Sequence, residues 1–267
     1  MATFGFIGTG NMGSALVRAA AKALDAKEIL LADQCAEKAA ALAKEIGCES
    51  ADAETVAKES KFIFLGVKPQ VMGAMLKQIA PALQTRKDNF VLVSMAAGLS
   101  IADIRAMAGA NYPVIRIMPN IPASVGGGVI LFDTSDNVGA EDVEFFRENM
   151  RFSGLVDPLP EKLIDAGSAL SGCGPAFVCL FVEALADGAV ACGLPRDKAL
   201  SYAAQTLAGT ATMLLESGMH PGQLKDAVCS PGGTTIAGVK AMEENGLRGA
   251  AMEGVVAAYQ RTLELGK

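Results

Sequence analysis

The chain has 267 residues and a mass of 27.4 kDa; with 51% apolar and 19% charged residues it is too hydrophobic for a disordered protein and long enough for one large domain or two small ones. Lys and Arg number 23 against 29 Asp and Glu, and the net charge of −6 is evenly shared: residues 1–160 carry 15 positive and 18 negative side chains, residues 161–267 carry 8 and 11. No basic face or run is present, which excludes the electrostatic footprint of a nucleic-acid-binding protein.

In chain order, short apolar runs alternate with alanine-rich stretches of helical length. Thr3–Ile7, Ile29–Ala32, Phe62–Val67, Phe90–Ser94 and Val114–Met118 are predicted strands, with Val129–Phe132 as a further one, while Met12–Leu24 and Ala36–Ile46 are predicted helices. That alternation implies an α/β domain over residues 1–160, with a Rossmann-type, doubly wound, mostly parallel sheet. After Asp157-Pro-Leu-Pro160 the strand signal stops, and residues 161–267 are expected to form an all-helical dimerisation domain. Pro175 opens one helix that Gly193 closes, and Pro195 opens the next, to about Ser217. The first of these is apolar almost all round, with only Glu183 and Asp187 charged, so a homodimer interface is expected there.

Other classes are disfavoured by what the sequence carries. The longest uncharged stretch, Ala166–Val182, is 17 residues and holds three glycines and Pro175, so no membrane span is expected. The N-terminus lacks the basic region of a signal peptide. The six cysteines contain no C-x-x-C pair and the single histidine, His220, precedes Pro221, so no metal site is expected, His220 reads as a loop or cap residue, and the protein is expected to be soluble and cytoplasmic.

Gly8-Thr9-Gly10-Asn11-Met12-Gly13 lies between a predicted strand and a predicted helix, the setting that a G-x-G-x-x-G dinucleotide fingerprint requires. Gly8 allows the turn, Gly10 lets the backbone approach a pyrophosphate, and Gly13 lets helix and strand pack, while the helix N-terminus at Asn11 and Met12 offers amides. Asp33, 20 residues after Gly13, is placed to accept hydrogen bonds from an adenine-ribose hydroxyl and to repel a 2′-phosphate, which favours NADH modestly over NADPH. The loops Val67-Lys68-Pro69 and Met95-Ala96-Ala97 follow strands that end at the same crevice, so they are candidates for lying along the cofactor.

The second half narrows the chemistry. Ala169-Leu-Ser-Gly-Cys-Gly-Pro-Ala-Phe177 and Val228-Cys-Ser-Pro-Gly-Gly-Thr-Thr-Ile-Ala-Gly-Val239 closely resemble the pyrroline-5-carboxylate reductase family, and the likeness extends to Val67-Lys-Pro69, Ala96-Ala-Gly98, Met118-Pro-Asn120 and His220-Pro-Gly-Gln-Leu-Lys-Asp226. The resemblance implies reduction of 1-pyrroline-5-carboxylate to L-proline by NADPH or NADH. It implies that Thr235 hydrogen-bonds the substrate ring nitrogen, that Ser230 and the amides of Gly233, Thr234 and Thr235 hold the carboxylate beside Val228, and that Asp52 and Asn120 belong to the cofactor site. It also implies a homodimer that some members extend to a ring of dimers. The chain departs from the family pattern at Cys173, Ala227 and Asp52, where serine, asparagine and asparagine are common. Independently of the resemblance, Ser230-Pro-Gly-Gly-Thr-Thr235 sets two glycines and two hydroxyls before a helical run, a cradle suited to a carboxylate. A β-hydroxyacid dehydrogenase reading fails because Lys162, Lys198, Lys225 and Lys240 are followed four residues on by Ala166, Tyr202, Cys229 and Glu244 rather than by Asn. A non-catalytic dinucleotide sensor would have no use for the cradle.

Overall fold

A computed structural model of the chain describes residues 2–265; the last two residues of the expected helical domain lie outside them. By internal packing the chain divides into two compact units, one running up to Gly172 and taking back the chain from Tyr259, the other Cys173–Ala258.

In the first unit, β1 (Ala2–Ile7), α1 (Asn11–Ala20), β2 (Ile29–Ala32), α2 (Ala36–Ile46), β3 (Glu49–Ser50), α3 (Ala53–Glu59) and β4 (Ser60–Leu65) are followed by α4 (Pro69–Gln84), β5 (Val91–Ser94), α5 (Ile101–Ala108) and β6 (Val114–Met118). β7 (Gly128–Thr134), α6 (Ala140–Met150), β8 (Gly154–Pro158) and α7 (Glu161–Ser171) complete it. Among the described residues eight strands form one sheet in the order β3-β2-β1-β4-β5-β6-β7-β8, parallel throughout except between β6 and β7. The first six strands follow the Rossmann order, with its reversal between β1 and β4.

The strands are apolar without alternation because both faces are covered. Phe4, Phe6, Phe62, Phe64, Val91 and Val93 point to one face, where they meet Leu16, Val17, Leu42 and Phe146 of α1, α2 and α6. Ile7, Ile63, Leu65 and Leu92 point to the other, against Met72, Leu76 and Ile79 of α4 and Ile104 of α5. Phe6 stacks on Phe64 with ring centroids 4.2 Å apart, and Phe4 meets Phe62 edge-on at 5.3 Å. Burying each such ring contributes about 1.5–3 kcal/mol, and the aromatic geometry adds to it.

Two expectations shift in register or are extended. The run Phe62–Val67 is strand only to Leu65, since Gly66 and Val67 already turn, and the strands β3 and β8 were not expected at all: both are sheet edges, β3 two exposed residues long and β8 with Leu155 and Asp157 facing solvent. β3 has no covered face and β8 sets only Val156 against the core, so neither carries an apolar period to read.

A buried charge fixes α7 to the sheet. The Arg116 guanidinium on β6, 5% exposed, donates to Glu161 Oε1 at 3.3 Å and Asp165 Oδ1 at 2.9 Å. Glu161 Oε1 also accepts from the Ile101 amide at the start of α5, and the Glu161 amide donates to Asp133 Oδ2 on β7. At the other end of α7, Asn120 Nδ2 donates to the Ser171 carbonyl. Buried guanidinium is costly unless it is paired; here two carboxylates meet its terminal nitrogens, while the buried Nε has no partner among the described residues.

The second unit holds α8 (Gly174–Ala191), α9 (Arg196–Ser217), α10 (Pro221–Ala227), α11 (Thr234–Glu244) and most of α12 (Leu247–Leu265). Its own core is thin: Ala186, Ala199 and Ala203 are buried, backed by Val182, Leu185, Ala189, Val190 and Leu194 between α8 and α9, and α10 and α11 bury no residue. Val178 and Leu180 on α8 and Leu215 on α9 stand exposed, Leu215 at 85%. By length and composition alone, Glu161–Ala191 is long and apolar enough to cross a membrane.

The turn from β1 into α1 depends on missing side chains. Gly8 has φ +107°, and a Cβ there would lie 2.5 Å from the Gly66 carbonyl oxygen; a Cβ on Gly13 would overlap the Gly8 carbonyl oxygen, whereas one on Gly10 would meet nothing within 4 Å. Gly13→Ala therefore pushes α1 off β1, and urea unfolding at fixed protomer concentration is expected to show a loss of about 1–3 kcal/mol. Gly10→Ala replaces only a helix N-cap residue and stays within about 1 kcal/mol of the parent; equal losses for the two would contradict this account of the turn.

Candidate active site

The C-terminal ends of β1, β2 and β4 open into a cleft of about 480 Å³ lined by Gly8, Asp33, Asp52 and Val67 and, from α4, by Val71, Ala74, Met75 and Gln78. A second hollow of about 460 Å³ lies at the start of α1, lined by Thr9, Gly10, Asn11, Met12 and Ser14, with Lys38 and with Arg18, whose guanidinium is paired with Glu45. These hollows flank the point where the strand order reverses, the place where doubly wound sheets bind their ligands.

The second hollow fits an anion. α1 begins at Asn11 after Gly10 with no side-chain cap and no acidic residue in its first turn, so its leading amides and positive dipole end have no partner among the described residues. Open space lies where a Cβ on Gly10 would be. The loop is braced from behind, because Ser14 Oγ donates to the Thr9 carbonyl at 2.7 Å and the Gly8 amide donates to the Ala32 carbonyl at 2.8 Å. These residues fit the pyrophosphate of a dinucleotide.

Asp33, at the end of β2, is one of two carboxylates on the first cleft, with Asp52. Its Oδ2 accepts from the Thr9 amide at 2.7 Å and the Thr9 hydroxyl at 3.0 Å, and its Oδ1 from the Cys35 amide at 3.0 Å. Partial burial alone would raise this carboxyl, but the Thr9 and Cys35 donors, with Lys38 nearby, outweigh it and hold the group below the usual carboxylate range. Asp52 caps α3: the Thr55 amide donates to it at 2.7 Å and lowers its titration.

Other residues of the sequence reading sit less directly on the cleft. Lys68 is the exposed N-cap of α4 and Pro69 its first residue; with Met95, Ala96 and Ala97 they line neither hollow. Ala96 is buried and Met95 packs against the aromatic core, leaving Ala97 exposed. The Asn120 amide is committed within the protein, its Oδ1 accepting from the Val129 amide at 2.8 Å and its Nδ2 donating to Ser171. The α4 contribution was overlooked, although its spacing of Val71, Ala74, Met75 and Gln78 is that of one helix face.

In the helical unit, Ser230–Gly233 is a tight turn in which the Gly233 amide donates to the Ser230 carbonyl at 3.0 Å and Gly232 takes φ +69°. A Cβ on Gly233 would displace the Ser230 hydroxyl from its place in the turn. α11 starts at Thr234 with no side-chain cap, and Ser230, Thr234 and Thr235 are exposed, as is Val228 at the end of α10. The Gly233 amide is thus spent on closing the turn, and the amides of Thr234 and Thr235 with three hydroxyls are gathered at one helix start, a set able to hold a carboxylate and offer one further hydrogen bond. His220 is an N-cap, as expected: its Nδ1 accepts from the Gly222 amide while Gln223 accepts from the His220 amide. Among the described residues no cluster of His, Cys, Asp and Glu is arranged to hold a metal.

Comparison with known proteins agrees with both sets of features. Residues 161–265 match the family profile described as pyrroline-5-carboxylate reductase dimerisation, and residues 3–98 match that described as NADP oxidoreductase, coenzyme F420-dependent. The chain is 41% identical to the pyrroline-5-carboxylate reductase of Pisum sativum over 98% of its own length and 96% of the relative's. Its fold matches a pyrroline-5-carboxylate reductase structure from Coxiella burnetii with a TM-score of 0.92 at 30% identity, covering 100% of this chain and 99% of that one. It matches the Plasmodium falciparum pyrroline carboxylate reductase, solved with NADP bound, with a TM-score of 0.86 at 31% identity and 100% and 98% coverage. With identity this high along nearly the whole of both chains, and with the glycine turns of both units in place, the chain belongs to the pyrroline-5-carboxylate reductase family.

Proposed function

We propose that this protein reduces the C=N bond of 1-pyrroline-5-carboxylate to give L-proline, the last step of proline synthesis. The observation that carries the reading is the presence on one chain, aligned end to end with enzymes of that name, of an anion-ready α1 start and the Ser230–Thr235 turn. When bound, a reduced nicotinamide dinucleotide supplies the hydride. The protein's own work is binding and orientation. The amides at Gly10, Asn11 and Met12 bind the pyrophosphate, Asp33 and Asp52 face the adenosine, and Val67, Lys68, Pro69, Met95, Ala96, Ala97 and Asn120 form the surrounding loops. Gly8 and Gly13 keep that turn tight.

In the helical unit, Ser230 and the amides of Thr234 and Thr235 hold the substrate carboxylate beside Val228, while the Gly233 amide, expected to join them, closes the turn on the Ser230 carbonyl. The Thr235 hydroxyl hydrogen-bonds the ring nitrogen and thereby orients the carbon that is reduced. Asp33 favours NADH modestly, since a carboxylate against a 2′-phosphate is repulsive while a ribose hydroxyl can donate to it.

On this reading residues 1–160 form the dinucleotide-binding domain and 161–267 the substrate-binding and dimerisation domain. The apolar surface of α8 and α9 meets a second copy of the chain rather than lipid, giving a homodimer that can extend to a ring of dimers. The six free thiols suit a reducing cytoplasm.

Purified protein is expected to oxidise NADH and NADPH only when the imine is added, followed at 340 nm; no imine-dependent oxidation with either cofactor would overturn the proposal. Thr235→Val is expected to lower kcat/KM for the imine by about 10- to 150-fold, the worth of a hydrogen bond to a charged partner at ~1.5–3 kcal/mol. Cofactor affinity should stay near the parent's and Thr234→Val should be milder, because there the backbone amide does the binding. Equal small effects, or a loss of cofactor affinity in Thr235→Val, would remove Thr235 from the substrate.

A further inference from the structure

Asp33 is more heavily bonded inside the protein than the reading of a ribose requires. A carboxylate offers about four acceptor positions, and three are filled, two of them by Thr9 on Oδ2 and one by the Cys35 amide on Oδ1. About one position is therefore left for a ligand, although a ribose presents two neighbouring hydroxyls.

The three donors do different work. The Thr9 and Cys35 amides hold one carboxylate oxygen each and so fix the group without help from the Thr9 hydroxyl. The backbone at Thr9 is itself held by Ser14, whose hydroxyl donates to the Thr9 carbonyl. The hydroxyl is thus redundant for position. What it does is occupy an acceptor position and draw negative charge off the carboxylate. It does so at the seam of the two hollows, since Thr9 lines the one at the start of α1 and Asp33 the adjoining cleft.

We propose that Thr9 is a specificity-determining residue: its hydroxyl competes with the ribose for Asp33 and softens the repulsion of a 2′-phosphate, which keeps NADPH usable and the preference for NADH small. This rests on the reading of Asp33 as the group that faces the adenine ribose. Removing the hydroxyl while keeping side-chain shape frees an acceptor for the ribose and leaves a more negative carboxylate. Selectivity for NADH then rises, and the change lies in KM because the contact acts on cofactor binding.

The test is the ratio of kcat/KM for NADH over NADPH in the full chain, with direct titration of each cofactor by fluorescence as a readout independent of turnover. Thr9→Val is expected to raise the ratio about 2- to 10-fold, the range spanned by the net worth of one hydrogen bond. Thr9→Ser retains the hydroxyl and should stay within about twofold of the parent; Thr9→Ala carries the test if Thr9→Val does not fold. Asp33→Asn should move the ratio toward NADPH and abolish the effect of Thr9→Val in the double variant. An unchanged or lowered ratio in Thr9→Val and Thr9→Ala, with Asp33→Asn still shifting it, overturns the role of Thr9 and leaves Asp33 facing the ribose. If Asp33→Asn shifts nothing, the ribose reading falls and the proposal falls with it.

Discussion

The nucleotide edge of this protein depends on a backbone contact that side chains would prevent. The Gly8 carbonyl, on leaving β1, sits where a Cβ on Gly13 would be and within 2.7 Å of where one on Gly66 would be. Three glycines on three segments are therefore one constraint, bringing the start of α1 and the exit of β4 against the same turn. The consequences spread from there. The Thr9 amide reaches Asp33 at the end of β2, Ser14 locks the loop from behind, and the uncapped start of α1 is left facing open space. A helix end with unmet amides in front of open space is an anion site by construction.

The helical unit follows a different economy of contacts. Its buried residues are three alanines, and long apolar side chains such as Leu180 and Leu215 remain in solvent. Small residues let α8 and α9 approach closely but contribute little transfer free energy, so the unit's stability must come from burial that one chain does not supply. That is the physical content of a dimerisation module, and it explains why a stretch apolar enough to cross a membrane by length and composition belongs to this family's matched segment. The same unit carries the Ser230–Thr235 turn, between α10 and α11, so the module that pairs the subunits also carries the residues assigned to the substrate.

Much of this was legible in the sequence, for reasons that can be stated. The fingerprint could be read because Gly8 and Gly13 stand for close backbone contacts that no other residue meets and Gly10 leaves open space at the helix start. The buried strands could be read because Phe62-Ile-Phe-Leu65 is apolar on both faces. The edge strands β3 and β8 could not, since edges lack a second covered face. Arg116 in a run of apolar residues gave no sign of its burial, because the carboxylates that make burial tolerable lie 45 and 49 residues further on. Likewise, the commitment of the Asn120 amide to Val129 and Ser171, and of Asp33 to Thr9, depends on side-chain directions that spacing does not encode. The sequence suggests a ligand for Asp33; only the fold shows how much of the carboxylate is already bound.

The proposed reaction is hydride transfer from a reduced nicotinamide dinucleotide to the carbon of the imine C=N bond. Incubating the protein with the imine and cofactor deuterated at nicotinamide C4 on the transferring face, then examining the product by mass spectrometry and NMR, tests it most directly. The account predicts L-proline with one deuterium at Cδ, the carbon formerly double-bonded to nitrogen. Proline with no deuterium from either face of the cofactor, or no proline at all, would contradict it.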